Sequence, residues 1–212
     1  MTIRFAALYL AVASLASAVV IDRIAVIVNS DLIKSSDINR DLLATQMLNG
    51  DPPNLSLAAR RKDAAHLIDQ VFIREEISAG AYPTATNDEA NKPLDQLISD
   101  RYKTRADFDA ALKRYQLTEP DLREQFRWQL SVLRFIDARF RPAVLITDQQ
   151  VDKYYAQHLA QLKKQNPKGT EENLKSDARE ILTQDAVNKL LFAWLDQHRH
   201  DAKVRYLEGG LA

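Results

Sequence analysis

The side chains that most often carry out chemistry are few in this sequence and badly placed to act together. Four histidines are present and cysteine is absent, which excludes thiol catalysis, disulfides and cysteine-ligated zinc. His198 and His200 are two residues apart, a spacing that turns side chains on a helix about 200° from one another. We expect both to be cationic groups near a helix C-terminus rather than metal ligands, and we expect His158 to be packed or hydrogen-bonded.

Adjacent acidic residues are the second candidates for catalysis. The pairs Glu75-Glu76, Asp88-Glu89 and Glu171-Glu172 are neighbours along predicted helices, so their carboxylates diverge and cannot share a proton. The sequence has no G-x-S-x-G motif, no phosphate-binding loop and no dinucleotide fingerprint. We predict that the protein is not an enzyme and uses no cofactor and no metal. An enzyme with an unfamiliar site, such as an unusual isomerase, is the weaker alternative.

One predicted helix, residues 119–140, has more apolar surface than a single buried face requires. One stripe at helical spacing contains Leu122, Phe126, Leu130, Leu133 and Phe140. A second stripe, rotated by roughly 120° from the first, contains Trp128, Val132 and Phe135. So wide an apolar arc needs neighbours on two sides or a bound partner. The ordinary outcome for such stripes is that both lie in the core. The alternative is that Trp128, Val132 and Phe135 form a peptide-binding groove, and these three residues are the binding site that we predict.

Composition narrows the class of protein that presents these residues. The chain has 212 residues, with 29 basic and 29 acidic side chains and a formal net charge of zero. This balance argues against a protein that holds DNA or RNA electrostatically. Hydrophobic residues make up 46% and charged residues 27%, which is typical of a folded globular protein.

Residues 1–18 have the pattern of an export signal. Arg4 precedes an apolar run from Phe5 to Leu15, and Ala16-Ser17-Ala18 supplies the small residues that a signal peptidase accepts. The run is shorter than the roughly 20 apolar residues of a membrane-spanning helix. We predict a signal peptide cleaved after Ala18, a periplasmic location and no transmembrane segment in the mature chain. Because residues 19–21 are also apolar, an uncleaved membrane anchor is the alternative.

The elements that must position the apolar stripes are mostly helices. A helix capped by Ser35 or Ser36 is predicted to end near Leu48, and the following one is predicted to close at Gly80. That second helix is predicted at about 55–79, and five more are predicted at about 88–101, 105–115, 119–140, 147–164 and 170–200, with strands at 19–28, 32–33 and 203–207. Thr86-x-x-Glu89 is a capping box at one of these helix starts. Since an isolated strand is unstable, we expect the last strand to pair with the first in a small sheet.

The order of these segments resembles the SurA family of periplasmic chaperones. Residues 20–37 contain V-x-D-R-I-A-V-I-V-N-x-x-x-I-x-x-S-D, which is similar to the start of the family's mature chains. Residues 67–73, L-I-D-Q-V-F-I, resemble the family's second helix. Residues 146–158 begin I-T-D and end Y-Y-A-Q-H, like the helix that closes the family's N-terminal chaperone domain. The final helix and strand resemble its C-terminal segment.

The resemblance implies a mainly α, multi-helix SurA-type chaperone core with a small β-sheet that pairs the N-terminal and C-terminal strands. It divides the chain into a signal peptide (1–18), an N-terminal-like chaperone domain (19–164), a linker (165–169) and a C-terminal helix and strand (170–212) that complete the same core. Family members usually carry parvulin-type prolyl isomerase domains where this chain has only the linker. The isomerase activity is therefore not expected here.

The function implied is that of an ATP-independent holdase, which binds unfolded outer-membrane β-barrel proteins or other exported clients in the periplasm. The other hypothesis is a scaffold or assembly subunit that binds one folded partner, such as a separately encoded isomerase. A homodimer is compatible with both. An accessible groove at Trp128 and Phe135 would favour the holdase, whereas a flat apolar patch with a defined rim would favour the scaffold.

Overall fold

Helices dominate the computed structural model, which describes residues 22–207 and residue 211. The strands are β1 (Ile24–Val28), β2 (Asp31–Lys34) and β3 (Val204–Tyr206), and the helices are α1 (Ser35–Asn49), α2 (Leu57–Gly80), α3 (Asn87–Arg101), α4 (Arg105–Arg114), α5 (Glu119–Phe140), α6 (Asp148–Gln165) and α7 (Glu171–Asp201). The signal peptide predicted for residues 1–18, and the start of the predicted first strand, lie outside the described residues. The expected mainly α fold with a small sheet is confirmed.

The sheet brings the two ends of the described chain together. β1 lies in the middle and pairs antiparallel with β2 on one side and β3 on the other. The β1–β3 register places Val26 opposite Tyr206 and Val28 opposite Val204. The predicted pairing of the terminal strands is therefore correct. β1 is rich in β-branched residues because it is covered on its inner face, where Val26 and Val28 are both fully buried.

Reciprocal side-chain and backbone hydrogen bonds start α3, α4, α5 and α6, as the Thr86-x-x-Glu89 spacing predicts for the first of them. The Glu89 carboxylate accepts the backbone N–H of Thr86 at 2.8 Å, and Thr86 Oγ1 accepts that of Glu89 at 3.3 Å. Thr118 and Asp121 form the same arrangement at the start of α5. These bonds satisfy backbone donors that have no partner inside the helix.

Two predicted caps are wrong. Lys34 precedes the first turn of α1, and the Asp37 carboxylate accepts its backbone N–H at 3.0 Å. Ser36 does not cap the helix, because its hydroxyl donates to the Asp22 carboxylate instead.

At the other end of α2, the helix includes Gly80, and the left-handed residue that closes it is Ala81, with φ of 51°. Glycine is needed at position 80 for another reason: a Cβ there would overlap the ring of Tyr82.

The core has three parts. The largest packs β1 and α2 against α5 and α7, around Phe72 and Phe135. A second cluster joins α1, α3, α4 and the first half of α5 around Phe108. A smaller third cluster lies between α6 and the first half of α7, with Leu162 and Leu174 at its centre. Where α5 and α7 leave the largest cluster incompletely covered, an open cavity remains.

Candidate functional site

An open cavity of about 570 Å³ lies between α2, α5 and α7, and we call it the α5–α7 groove. Two of its side chains, Leu133 and Phe192, are 62% and 60% exposed. Its apolar lining consists of Ile73, Trp128, Val132, Leu133, Ile136, Leu191, Phe192 and Leu195. Single exposed apolar residues are ordinary on protein surfaces, but a concave set of this kind is typical of a binding surface.

α5 supplies half of this apolar lining, including two of the three residues predicted from the sequence. Trp128 and Val132 are half-buried and line the groove. Phe135, by contrast, is fully buried, so its predicted role in binding is wrong. The reason is that Phe135 points into the largest core cluster, where Tyr82 and Trp194 pack against its ring with centroid separations of 5.0 and 5.8 Å.

Leu133 and Phe192 were not recognised from the sequence as groove residues. The helical spacing places Leu133 in the first apolar stripe, roughly 120° from Trp128, but it follows Val132 along α5 and extends the groove toward solvent. Phe192 belongs to the run Leu190-Leu191-Phe192-Ala193-Trp194-Leu195. An apolar run that continues around a helix indicates more than one contact face. This run is the sequence feature from which a second apolar face of α7 could have been predicted.

Trp128 is held in place from the side of α2. The guanidinium carbon of Arg74 lies 4.1 Å from the centre of the indole ring, which is the geometry of a cation–π interaction. Trp128 also lines the groove. The indole is thus fixed by a charge on α2 while it forms part of the groove wall.

The polar part of the groove contains several side-chain amides. Gln70, Gln125 and Gln129 line it together with Thr45. Amides donate and accept hydrogen bonds without carrying charge, so they can bind backbone groups of an extended chain. Asp69 also lines the groove, but its carboxylate is engaged by Arg199 of α7, with an Nε–Oδ1 distance of 2.7 Å.

The histidines predicted to be structural are placed as expected. Nδ1 of His158 lies 3.0 Å from the carbonyl oxygen of Tyr154, and its ring stacks on that of Tyr154. Nδ1 of His198 lies 2.9 Å from the carbonyl oxygen of Trp194. Across residues 22–207 and 211, no three His, Asp or Glu side chains come together as a metal site would require.

A buried carboxyl pair that the sequence did not indicate lies between α1 and α2. Asp41 and Asp63 are 8% and 7% exposed. Burial away from water raises the pKa of Asp63 to about 8, and the adjacent charge of Asp41 and a hydrogen bond to it act in the same direction. Asp63 therefore carries a proton at neutral pH. The pair lies 22 positions apart in the chain, so adjacency in sequence could not reveal it.

Among the helices of the described part of the chain, none is both long enough and apolar enough to cross a bilayer.

Comparison with solved structures identifies the architecture. No family model and no curated protein matches the sequence. A chain from a pair of SurA-like chaperones of Campylobacter jejuni, described as the virulence factor PEB4 and the periplasmic protein Cj1289, superimposes with a TM-score of 0.51. The superposition covers 88% of this chain and 99% of the other, with 13% sequence identity. The fold is SurA-like.

In this SurA-like fold, α6 and the first half of α7 pack on each other, and we call this pair the arm. α6 packs chiefly against α7, and ion pairs reinforce that contact. Nζ of Lys175 lies 2.9 Å from a carboxylate oxygen of Asp152, and Arg179 contacts Asp148 at 2.5 Å. The two helices of the arm are joined directly by residues 166–170.

Proposed function

We propose that this protein is an ATP-independent periplasmic chaperone that holds unfolded outer-membrane proteins in the α5–α7 groove. The observation that carries the proposal is the exposure of Leu133 and Phe192 beside Trp128 in one concave apolar surface. The SurA-like fold supports it, since the similar C. jejuni proteins are described as SurA-like chaperones and one of them as periplasmic.

The chemistry of such clients suits the groove. Strands of outer-membrane barrels alternate apolar and polar side chains and carry aromatic girdles. An unfolded strand can place its apolar side chains on Trp128 and Phe192 while the groove amides bind its backbone. Release without ATP requires weak binding, so we expect micromolar dissociation constants, equivalent to about −8 kcal/mol.

Prolyl isomerase activity is not part of the proposal. A parvulin-type domain would need on the order of 100 residues, whereas only residues 166–170 separate α6 from α7. We therefore expect the groove, rather than an inserted domain, to carry the function.

The test is whether the purified chain suppresses aggregation of an outer-membrane β-barrel protein diluted from urea, at a near-equimolar ratio. Suppression that Phe192→Ser weakens at least about threefold, a loss of one good apolar contact, would support the proposal. Leu145→Ser is the matched control, because Leu145 is 86% exposed and does not line the groove.

A different outcome would favour the competing hypothesis. If the barrel protein aggregates as fast with the chaperone candidate as alone, the general-holdase function is excluded. A scaffold that binds one folded partner through the same apolar surface then becomes the better account. Light scattering of the chain alone would show whether that partner is a second copy.

A further inference from the structure

A second cavity, of about 430 Å³, opens beside the α5–α7 groove. Its walls come from β2, α1, α2 and the first half of α5. Gln70 and Gln125 line both cavities, so the two spaces share a wall. We call the second cavity the acidic pocket, after its carboxylates Asp31, Asp37, Asp41, Asp121 and Glu124.

Negative charge exceeds positive charge in the acidic pocket. Its five carboxylates face two guanidinium groups, those of Arg40 and Arg74. Arg40 contacts Asp121, with an Nε–Oδ1 distance of 3.4 Å. Arg74 is stacked on Trp128. Because the carboxylates outnumber the guanidinium groups, the lining carries a net negative charge. A net negative charge attracts a cation.

Some of these carboxylates also have structural partners. Asp37 and Asp121 accept backbone N–H groups at the starts of α1 and α5. Glu124 pairs with Arg127 across the surface of α5 at 2.6 Å. Each of these carboxylates can still accept further hydrogen bonds, because an ionised carboxylate accepts up to about four.

A buried acceptor provides a second, independent indication of a ligand. Gln70 is only 4% exposed, and its Oε1 has no hydrogen-bond partner among the described residues. Leaving a buried acceptor without a donor costs free energy. Because Gln70 forms part of the shared wall, an N–H donor that enters beside it would remove this cost.

We propose that the acidic pocket binds the ammonium or guanidinium group of a lysine or arginine in the client, next to the apolar segment held in the groove. This inference rests on the proposed holdase function and adds a preference to it. Lysine and arginine side chains carry only donors, which match the carboxylates and Gln70 Oε1. The shared wall explains why a side chain of the client is the ligand rather than a free amine: one extended segment reaches both cavities.

The experiment compares two fluorescein-labelled peptides that share one alternating apolar and aromatic segment. One peptide carries lysine beside the segment and the other carries norleucine, which has a similar length and no charge. Fluorescence anisotropy with the purified chain measures each dissociation constant. We expect the lysine peptide to bind about fivefold more tightly at low salt, the gain from one partly exposed ion pair. At ~0.5 M NaCl the preference should shrink, because salt screens such pairs.

Single substitutions show which residues produce the preference for the lysine peptide. Glu124 lines the acidic pocket but not the groove, so Glu124→Gln should reduce the lysine preference and leave the norleucine peptide unchanged. Glu172→Gln, on an exposed part of α7, makes the same charge change elsewhere and should preserve the preference. Gln70→Leu should also reduce the preference.

The results separate the two proposals. If both peptides bind with equal affinity, the groove is retained and the cation-binding pocket is excluded. If neither peptide binds, the proposed function is itself overturned. A preference that Glu172→Gln reduces as much as Glu124→Gln would show that general surface charge, not the pocket, attracts lysine.

Discussion

Arg74 of α2 covers one face of the Trp128 indole, with its guanidinium carbon 4.1 Å from the ring centre. Trp128 is also part of the wall of the α5–α7 groove. In the proposed function Trp128 contacts unfolded clients, and an indole that is ordered beforehand favours that contact because ordering a side chain on binding reduces affinity. The contact between α2 and α5 therefore supports the groove as well as the fold.

The first prediction concerns this cation–π pair. Arg74→Met retains an apolar chain over the indole but removes the charge, and it should lower the free energy of unfolding by about 0.5–1 kcal/mol. Trp128→Leu and the double variant complete a thermodynamic cycle measured by urea unfolding. A coupling energy of about 0.5 kcal/mol or more is expected. Strict additivity of the two single changes would contradict the interaction.

The second prediction separates a core residue from a groove residue on α5. Phe135→Ala should destabilise the protein by about 3–5 kcal/mol, because it empties a fully buried site between Tyr82 and Trp194. Leu133→Ala should change stability by less than about 1 kcal/mol, since Leu133 is 62% exposed. Urea unfolding followed by circular dichroism measures both. Similar losses for the two variants would be inconsistent with the fold.

Much of the fold could be predicted from local signals. Thr86 and Thr118 mark the starts of α3 and α5 because a hydroxyl and a carboxylate three residues apart satisfy each other's backbone donors. The pairing of β1 with β3 followed from the instability of isolated strands. These inferences succeed because they depend on residues close in sequence, or on segments that have no other means of satisfying their backbone groups.

The groove could be predicted only in part. Helical spacing gives the angle between Trp128 and Phe135 around α5. It does not show which face of α5 the neighbouring helices bury. Trp194 of α7 packs on Phe135 and leaves Leu133 and Phe192 exposed. Which side chains are buried and which are exposed depends on how α7 packs on α5. The spacing of apolar residues within α5 does not predict that packing.

The third prediction concerns the arm formed by α6 and the first half of α7. Its core contains Val151, Leu162, Leu174 and Ala178, and α6 packs chiefly on α7. Leu162→Ala should lower the free energy of unfolding of the arm by about 2–5 kcal/mol. Because the arm has its own small core, we expect local opening rather than global unfolding.

Hydrogen exchange measures this local opening. Amides of α6 in the Leu162→Ala variant should exchange faster, while those of α2 keep their protection. The control is Leu145→Ala, a change at a side chain that is 86% exposed. Equal loss of protection in α2 and α6 would show instead that the arm unfolds together with the helix α2 as one unit.

The last prediction follows from the carboxyl pair of α1 and α2. Asp63 keeps its proton in the folded protein up to its raised pKa of about 8, whereas an unfolded Asp ionises near pH 4, as a rough value. Between about pH 4 and pH 8 the folded state therefore binds more protons than the unfolded state. The free energy of unfolding falls as pH rises through this window, by at most about 1.4 kcal/mol per pH unit.

Asp63→Asn removes this dependence, because the amide cannot ionise and can still donate a hydrogen bond to Asp41. The variant should match the wild type near pH 4 and become progressively more stable than it up to about pH 8, with a gap that then stays constant. Urea unfolding at each pH unit measures the gap, and Asp185→Asn, at an exposed position of α7, controls for the loss of a carboxylate. A gap that is the same at every pH would mean that Asp63 is already ionised in the folded protein, and that Asp41 and Asp63 do not share a proton.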